Sequence, residues 1–329
     1  MTSDEQRHVP VLLQQAIRSL NVRQGGTYAD ATLGMAGHSM EIARRLGPMG
    51  TLIGFDRDAE AMAIATRRLD ALREQLGSQM PQVILHHEPF SQAKALVEPA
   101  SLDGLLADVG VSSLQLEEAH RGFSFQADGP LDMRMDTRRG HTAAQVVNQG
   151  GEKELADLIY EFGEERRSRR IARAIVRARP ITTTGQLARI VAAAAPAMKQ
   201  ERLHPATRTF QALRICVNDE LGELKALLAA APGLLKPGGR LAVISFHSLE
   251  DRLVKDAMRE GARVGMYHLD SRKPLTAEAD ETDRNPRSRS AKLRVAELAD
   301  QAAEGAGSEK NQGFTRIGPG SSYRSKRRN

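Results

Sequence analysis

Residues 30–39, DATLGMAGHS, close the apolar run GTYADAT (26–32) and open the helical pattern HSMEIARRLG (38–47). A glycine turn between a strand and a helix lets the main chain come close to a ligand. The unit is repeated downstream. TLIGFD (51–56), PQVILHH (81–87) and LDGLLADV (102–109) read as strands, and AEAMAIATRRLDALREQLG (59–77) reads as a helix. Strands alternating with helices predict an α/β fold with a parallel sheet covered on both faces. GRLAVISF (239–246), announced by the turn KPGG (236–239), and AKLRVAEL (291–298) add two strands more than a hundred residues later, so the sheet is interrupted by an insertion.

The insertion, roughly 116–215, has a different rhythm. EKELADLIYEFG carries Leu155, Leu158, Ile159 and Phe162 at helical spacing, and GQLARIVAAAA carries Leu187, Ile190 and Val191. Pro205 opens an expected long helix through Phe210, Leu213, Val217, Leu221 and Leu224. The expected organisation is a discontinuous sheet domain (1–115 and 216–304), a helical insert for substrate recognition (116–215), and a glycine- and serine-rich basic tail (305–329) expected to be disordered.

Hydrophobic content of 40% with 27% charged residues describes a soluble chain, and no apolar run approaches a membrane span. The first residues carry acids where a secretory signal carries bases, which points to the cytoplasm. The net charge of +6 is unevenly spread: −5 over 1–120, +5 over 121–220, +1 over 221–304 and +5 over 305–329. An acidic first third beside a basic middle suits a small ligand in one part and a polyanion over the other. A single cysteine, Cys216, and scattered histidines give no spacing for metal ligands, so no metal is expected.

Asp56 lies nineteen positions beyond Gly37 at the end of the second strand, where an acid accepts hydrogen bonds from adenosine ribose hydroxyls. A dinucleotide loop would be G-x-G-x-x-G, whereas here only Gly34 and Gly37 are present. With Asp30 closing the preceding strand, the loop suits a ligand that has an ammonium and no phosphate, such as S-adenosyl-L-methionine. Phe90 falls where a ring could pack on adenine. Asp108 ends the fourth strand at the carboxyl edge of the sheet, where ligands of such folds bind.

These blocks, together with HVPVLLQQAI (8–17), DVGVSSLQLEEAHRGFSFQADGPLDMRMD (108–136), GEERRSRRIARAIV (163–176), HPATRTFQALRICVNDEL (204–221), PGGRLAVISFHSLEDRLVK (237–255) and NPRSRSAKLRVAE (285–297), resemble the MraW (RsmH) family of 16S ribosomal RNA cytosine N4-methyltransferases. The resemblance covers residues 8 to about 298. It implies a class I (Rossmann-like) S-adenosylmethionine-dependent methyltransferase sheet with an inserted all-helical subdomain. It also implies methylation of one decoding-centre cytosine, position 1402 in the usual rRNA numbering, within the small ribosomal subunit. By motif match, cofactor contacts fall on Ala36, Gly37, His38, Asp56, Phe90, Asp108 and Gln115. Two positions depart from the pattern: Ala36 stands where the family commonly has glycine, and Leu114 where it often has proline.

Methylating cytosine N4 requires that the base be held with its amino group near the methyl while an acceptor takes hydrogen bonds from the amino protons. The candidates are Asp108 and the backbone of Val109 and Gly110, supported by Ser112 and Ser113; His247, just after the returning strand, is a further candidate for positioning the base. For RNA, Arg166, Arg170, Arg173 and Arg177 follow 4-3-4 spacing along one helical stripe with Ile171 and Ile175 facing inward, and Arg208 and Arg214 could add to it. Two rivals remain. A nicotinamide-dependent oxidoreductase would share Asp56 but lacks its phosphate loop, and a non-catalytic assembly factor would bind RNA without transferring methyl. Whether the chain forms a homodimer is open at this point.

Overall fold

Seven strands, β1 (Thr27–Asp30), β2 (Thr51–Phe55), β3 (Gln82–His86), β4 (Leu102–Asp108), β5 (Leu235–Ser245), β6 (Tyr267–His268) and β7 (Lys292–Leu298), form one sheet in the order β3-β2-β1-β4-β5-β7-β6. They are seen in a computed structural model that describes residues 10–196 and 204–300. The five strands from β3 to β5 pair in parallel, and β7 runs antiparallel to both β5 and β6. This is the class I, Rossmann-like arrangement. All six strands read from the sequence are present; β6, two residues long, is too short to carry a period.

Alternation along each strand assigns its faces. Tyr28, Leu52, Leu106, Ala242 and Ile244 point into a core shared with helices Leu13–Leu20, Gly37–Leu46 and Ala59–Leu76. Their neighbours Ala29, Ile53, Leu105, Leu241 and Val243 point the other way, against helices Glu220–Leu234 and Ser248–Arg263. The chain moves outward from β1 to β2 and β3, then returns to the other side of β1 for β4 and β5. The crevice at that reversal lies above the carboxyl ends of β1 and β4, where Asp30 pairs in register with Leu106.

The insertion builds a third core of its own. Helices Glu152–Gly163, Ser168–Ala178, Thr184–Ala194 and Ala206–Asn218 bury Ile159, Ile171, Ile175, Leu187, Val191, Phe210 and Leu213 together. Two helix starts are fixed by reciprocal caps, Thr142 with Gln145 and Thr183 with Gln186. The described residues through Ala299 form one compact unit. The tail, 305–329, lies outside the described residues.

Two expectations need correction. The long helix from Pro205 through Leu224 is two helices, because Asp219 adopts a left-handed conformation (φ 47°, ψ 41°) between Asn218 and Glu220. The apolar period runs through this turn, so period alone hides it. Asn218 locks the turn, accepting from the Met135 amide at 2.8 Å and donating to the Met133 carbonyl at 2.7 Å and the Arg214 carbonyl at 2.9 Å. The second correction concerns KPGG, which does not precede β5. It lies within β5 as an irregularity that shifts the register against β4 between Leu102 and Gly104.

Candidate active site

A cavity of about 1000 Å³ opens at the crevice, at the upper end of the ~300–1,000 Å³ typical of ligand pockets. Its walls come from the loops after β1, β2, β3, β4 and β5, from the N-terminal segment and from the run before β7. Most of the residues picked from sequence converge here: Gly34, Gly37, His38, Asp56, Phe90, Asp108, Ser112, Ser113 and Gln115 all line it.

The glycine loop is braced from below. Asp30 is buried and accepts from the Ser39 hydroxyl at 2.6 Å and the Thr32 amide at 3.1 Å, so it supports the loop without reaching the cavity wall. Gly34 (φ 51°) turns its amide onto Asp56 Oδ2 at 2.8 Å, tying the loop to the end of β2. Gly37 must be glycine: a Cβ there would lie 2.2 Å from Pro10 Cγ, because the N-terminal segment crosses directly over it. Ala36 is fully buried off the cavity wall in a left-handed conformation (φ 61°), which costs an L-residue about 1–2 kcal/mol. Neither Asp30 nor Ala36 is on the cavity wall, although Met35 and Gly37 on either side of Ala36 are.

Asp56 accepts the Gly34 and Asp58 amides, yet burial and the neighbouring Asp58 charge outweigh those bonds and Arg57, raising its pKa to about 6. Asp108 is more extreme. Burial, followed by the charges of Asp30 and Glu250, pushes its carboxyl well above the usual range. Its Oδ1 is buried with no hydrogen-bond partner. Its other oxygen is 3.8 Å from His38 Nδ1. Burial lowers the His38 pKa, and its Nε2 is 3.1 Å from the Val11 carbonyl, so the ring is neutral with that proton donated to Val11. The Asp108 amide donates to the Thr32 hydroxyl at 2.6 Å, joining the loops after β1 and β4. Thr32 was not singled out in the sequence, since its hydroxyl carries no signal in an apolar context.

Ser112 is committed to capping. Its hydroxyl accepts from the Gln115 amide at 3.2 Å, and Gln115 Oε1 accepts from the Ser112 amide at 3.0 Å. Gln115 Nε2 donates to Asp58 at 2.7 Å. Asp58 also receives Arg121 at 2.8 Å, a pair with side chains only 2% and 5% exposed. Arg121 donates as well to Glu60 and to the Arg134 and Met135 carbonyls, joining the sheet domain to the start of the insertion. A lone arginine in RGFSF offered no clue to this burial.

His247, expected from the sequence to position the base, is not on the cavity wall, whereas Phe246 and Glu250 are. It caps helix Ser248–Arg263: its Nδ1 accepts from the Glu250 amide at 3.4 Å, and Nε2 lies 3.1 Å from Glu250 Oε1 outside hydrogen-bonding geometry. Glu250 reaches the wall instead, and its Oε2 accepts from the Phe246 amide at 2.9 Å and the His247 amide at 3.3 Å. The His-x-x-Glu spacing at 247–250 is the clue, since a cap and a glutamate three residues on form a capping box. Glu220, His247 and Glu250 bring potential metal-ligating atoms within 4.8 Å of one another. Both Glu220 oxygens are bonded by Arg214 at 2.8 Å, so the cluster is held as an ion-pair network around a guanidinium.

Arg214 thus leaves the RNA set: its side chain is 16% exposed, locked on Glu220 at the cavity wall. The other arginines remain outside. Arg166, Arg170, Arg173 and Arg177 are exposed while Ile171, Ala172 and Ile175 are buried, although Arg166 precedes the helix, which starts at Ser168. Arg173 is paired with Glu152 of the preceding helix at 3.4 Å, and Arg208 lies 3.7 Å from Glu165. No helix among the described residues is long and apolar enough to cross a membrane.

A model of the MraW methylase family matches residues 5–299. The ribosomal RNA small subunit methyltransferase H of Acidobacterium capsulatum is 76% identical over 294 residues, spanning 89% of this chain and 99% of that protein. The protein of the same name from Koribacter versatilis is 60% identical over 88% of this chain and 93% of its own length. That from Solibacter usitatus is 51% identical over 88% and 99%.

Proposed function

The chain belongs to the MraW methylase family, and from that membership we propose that it transfers a methyl group from S-adenosyl-L-methionine to the exocyclic N4 of one cytosine in the 16S rRNA of the small ribosomal subunit, position 1402 in the usual rRNA numbering, acting in the cytoplasm. The observation that carries it is the Asp108 carboxyl at the crevice, whose Oδ1 is buried and has no hydrogen-bond partner, beside the glycine loop after β1. The acids Asp56, Asp108 and Glu250, which all line the cavity, suit a ligand that carries positive charge.

The cofactor, when bound, supplies an electrophilic methyl on a sulfonium. Of the cavity-lining residues, Asp56 would accept hydrogen bonds from the ribose hydroxyls, Phe90 would pack on the adenine, and the Gly34–His38 turn would let main chain approach the remainder. Asp108 serves the acceptor. Beside a cation its ionised form is favoured, and Oδ1 accepts an amino proton of the base. When that positive charge passes to N4, the same burial that raises its pKa draws the proton onto Oδ1, leaving a neutral methylamino group. Glu250 holds the Phe246–His247 turn that forms the adjoining wall.

The insertion, 116–215, is the substrate-recognition part, with Arg166, Arg170, Arg173, Arg177 and Arg208 presented to rRNA phosphates. The test is labelled methyl transfer to small subunits from a strain lacking the modification, followed by mapping of the modified nucleoside. N4-methylcytidine at a single position is expected, and Asp108→Ala should abolish it. Label on another nucleoside, or near-normal turnover by the variant, would overturn the assignment.

A further inference from the structure

Part of the cavity wall comes from elements outside the cofactor loops: Gln14 and Arg18 of helix Leu13–Leu20, and Arg284, Asn285 and Arg287 from the run before β7. This run is anchored, because Glu281 Oε1 accepts from the Leu12 amide at 2.7 Å. β7 starts at the carboxyl end of β5, with Lys292 opposite Ser245. It therefore lies two strands beyond β4, or about 10 Å at the ~4.8 Å spacing of strands, on the side away from Asp56.

Arg287 sits in the short turn Pro286–Ser290 with its side chain 38% exposed. The carboxylate facing it is Glu117, 3.6 Å away and itself 73% exposed, which is too far for a hydrogen bond. Burial lowers the Arg287 pKa, whereas Arg121, Arg134, Arg138, Arg214 and Arg263 are all raised by carboxylates that bond them directly. The wall thus carries a partly dehydrated guanidinium whose counter-charge is loose. Of the other acids on this part of the wall, Glu281 is bonded to the Leu12 amide, while Glu278 and Asp280 sit at the start of helix Ala279–Arg284, and neither forms an ion pair with Arg287. A guanidinium fork matches the two oxygens of a phosphate, and Arg287 shares the cavity wall with the loops after β4 and β5.

We infer that Arg287 receives the RNA phosphate next to the nucleotide being methylated, exchanging its loose contact with Glu117 for that anion. This rests on the proposed rRNA substrate and deepens it. The other anion that could reach the cavity is the carboxylate of the cofactor, and the test separates the two.

Steady-state methyl transfer to unmodified small subunits is measured across salt concentrations, alongside calorimetric binding of S-adenosylhomocysteine. For Arg287→Glu, KM for subunits should rise about tenfold and the log–log salt slope should fall by about one, with kcat at saturation and S-adenosylhomocysteine affinity unchanged. Glu117→Gln should shift KM the opposite way, lowering it about twofold, which loss of a structural contact would not do. An unchanged KM and slope in Arg287→Glu, an unchanged or raised KM in Glu117→Gln, or weakened S-adenosylhomocysteine binding at constant KM would each overturn the inference. If the unaltered protein moves no methyl to subunits, the proposed substrate fails instead, and the two failures are distinct.

Discussion

Arg121→Met removes the guanidinium that stands between Asp58 and the start of the insertion while keeping much of its volume. In the folded protein Asp58 is 2% exposed and receives Arg121 at 2.8 Å and Gln115 at 2.7 Å, so the substitution strands a buried carboxylate on neutral donors. Breaking a buried pair from one side costs about 3–5 kcal/mol. The arm to Glu60, whose side chain is 50% exposed, adds only a few tenths after solvent screening. A loss of about 4 kcal/mol is expected, which at roughly 2 °C per kcal/mol for a large chain lowers Tm by about 8 °C. Urea denaturation followed by circular dichroism at neutral pH measures it, and adding Asp58→Asn should recover about half by removing the stranded charge. A single-variant loss under about 1 kcal/mol, or a double variant weaker than Arg121→Met, would show that the pair does not hold the insertion to the sheet.

Three further outcomes follow from the site. Asp56 has its pKa raised to about 6, so between its unfolded value and about 6 the folded protein binds the extra proton and its stability falls as pH rises through that window. Ribose hydroxyls need the ionised form, so adenosine affinity should weaken below pH ~6 by about tenfold per unit, and a flat titration from pH 8 to 5 would remove Asp56 from the ribose site. Gly37→Ala places a Cβ 2.2 Å from Pro10 Cγ, an overlap that should cost about 1–3 kcal/mol and at least tenfold in S-adenosylhomocysteine affinity. Pro10→Gly should restore part of both, and no restoration would mean that the crossing is not what requires glycine. Charge reversal at Arg170 and Arg177 should lower RNA affinity and flatten its salt slope by about two without altering S-adenosylhomocysteine binding, and calorimetry beside filter binding would expose an unchanged slope.

The sheet was legible because each of its six longer strands alternates or runs apolar up to a turn, and the cavity-lining residues at strand ends were legible for the same reason. Gly34, Asp56 and Asp108 are placed by where β1, β2 and β4 stop. What escaped depends on chain reversals. Arg214 and Glu220 are six apart, a spacing that faces nothing on a continuous helix, and they meet only because Asp219 turns the chain. His247 and Glu250 are both near the returning strand, but which of them reaches the cavity is settled by the cap geometry of the helix they start. Arg121 and Thr32 act through burial and a hydroxyl, and local composition encodes neither.

The bond from Leu12 to Glu281 spans 269 positions of chain. During synthesis the first turn of the protein emerges long before its partner exists, so the segment crossing Gly37 cannot be clamped until nearly the whole chain has left the ribosome. Completion of the cavity is therefore a late event of biogenesis, and a polypeptide not yet extended to Glu281 lacks the clasp between Leu12 and that residue.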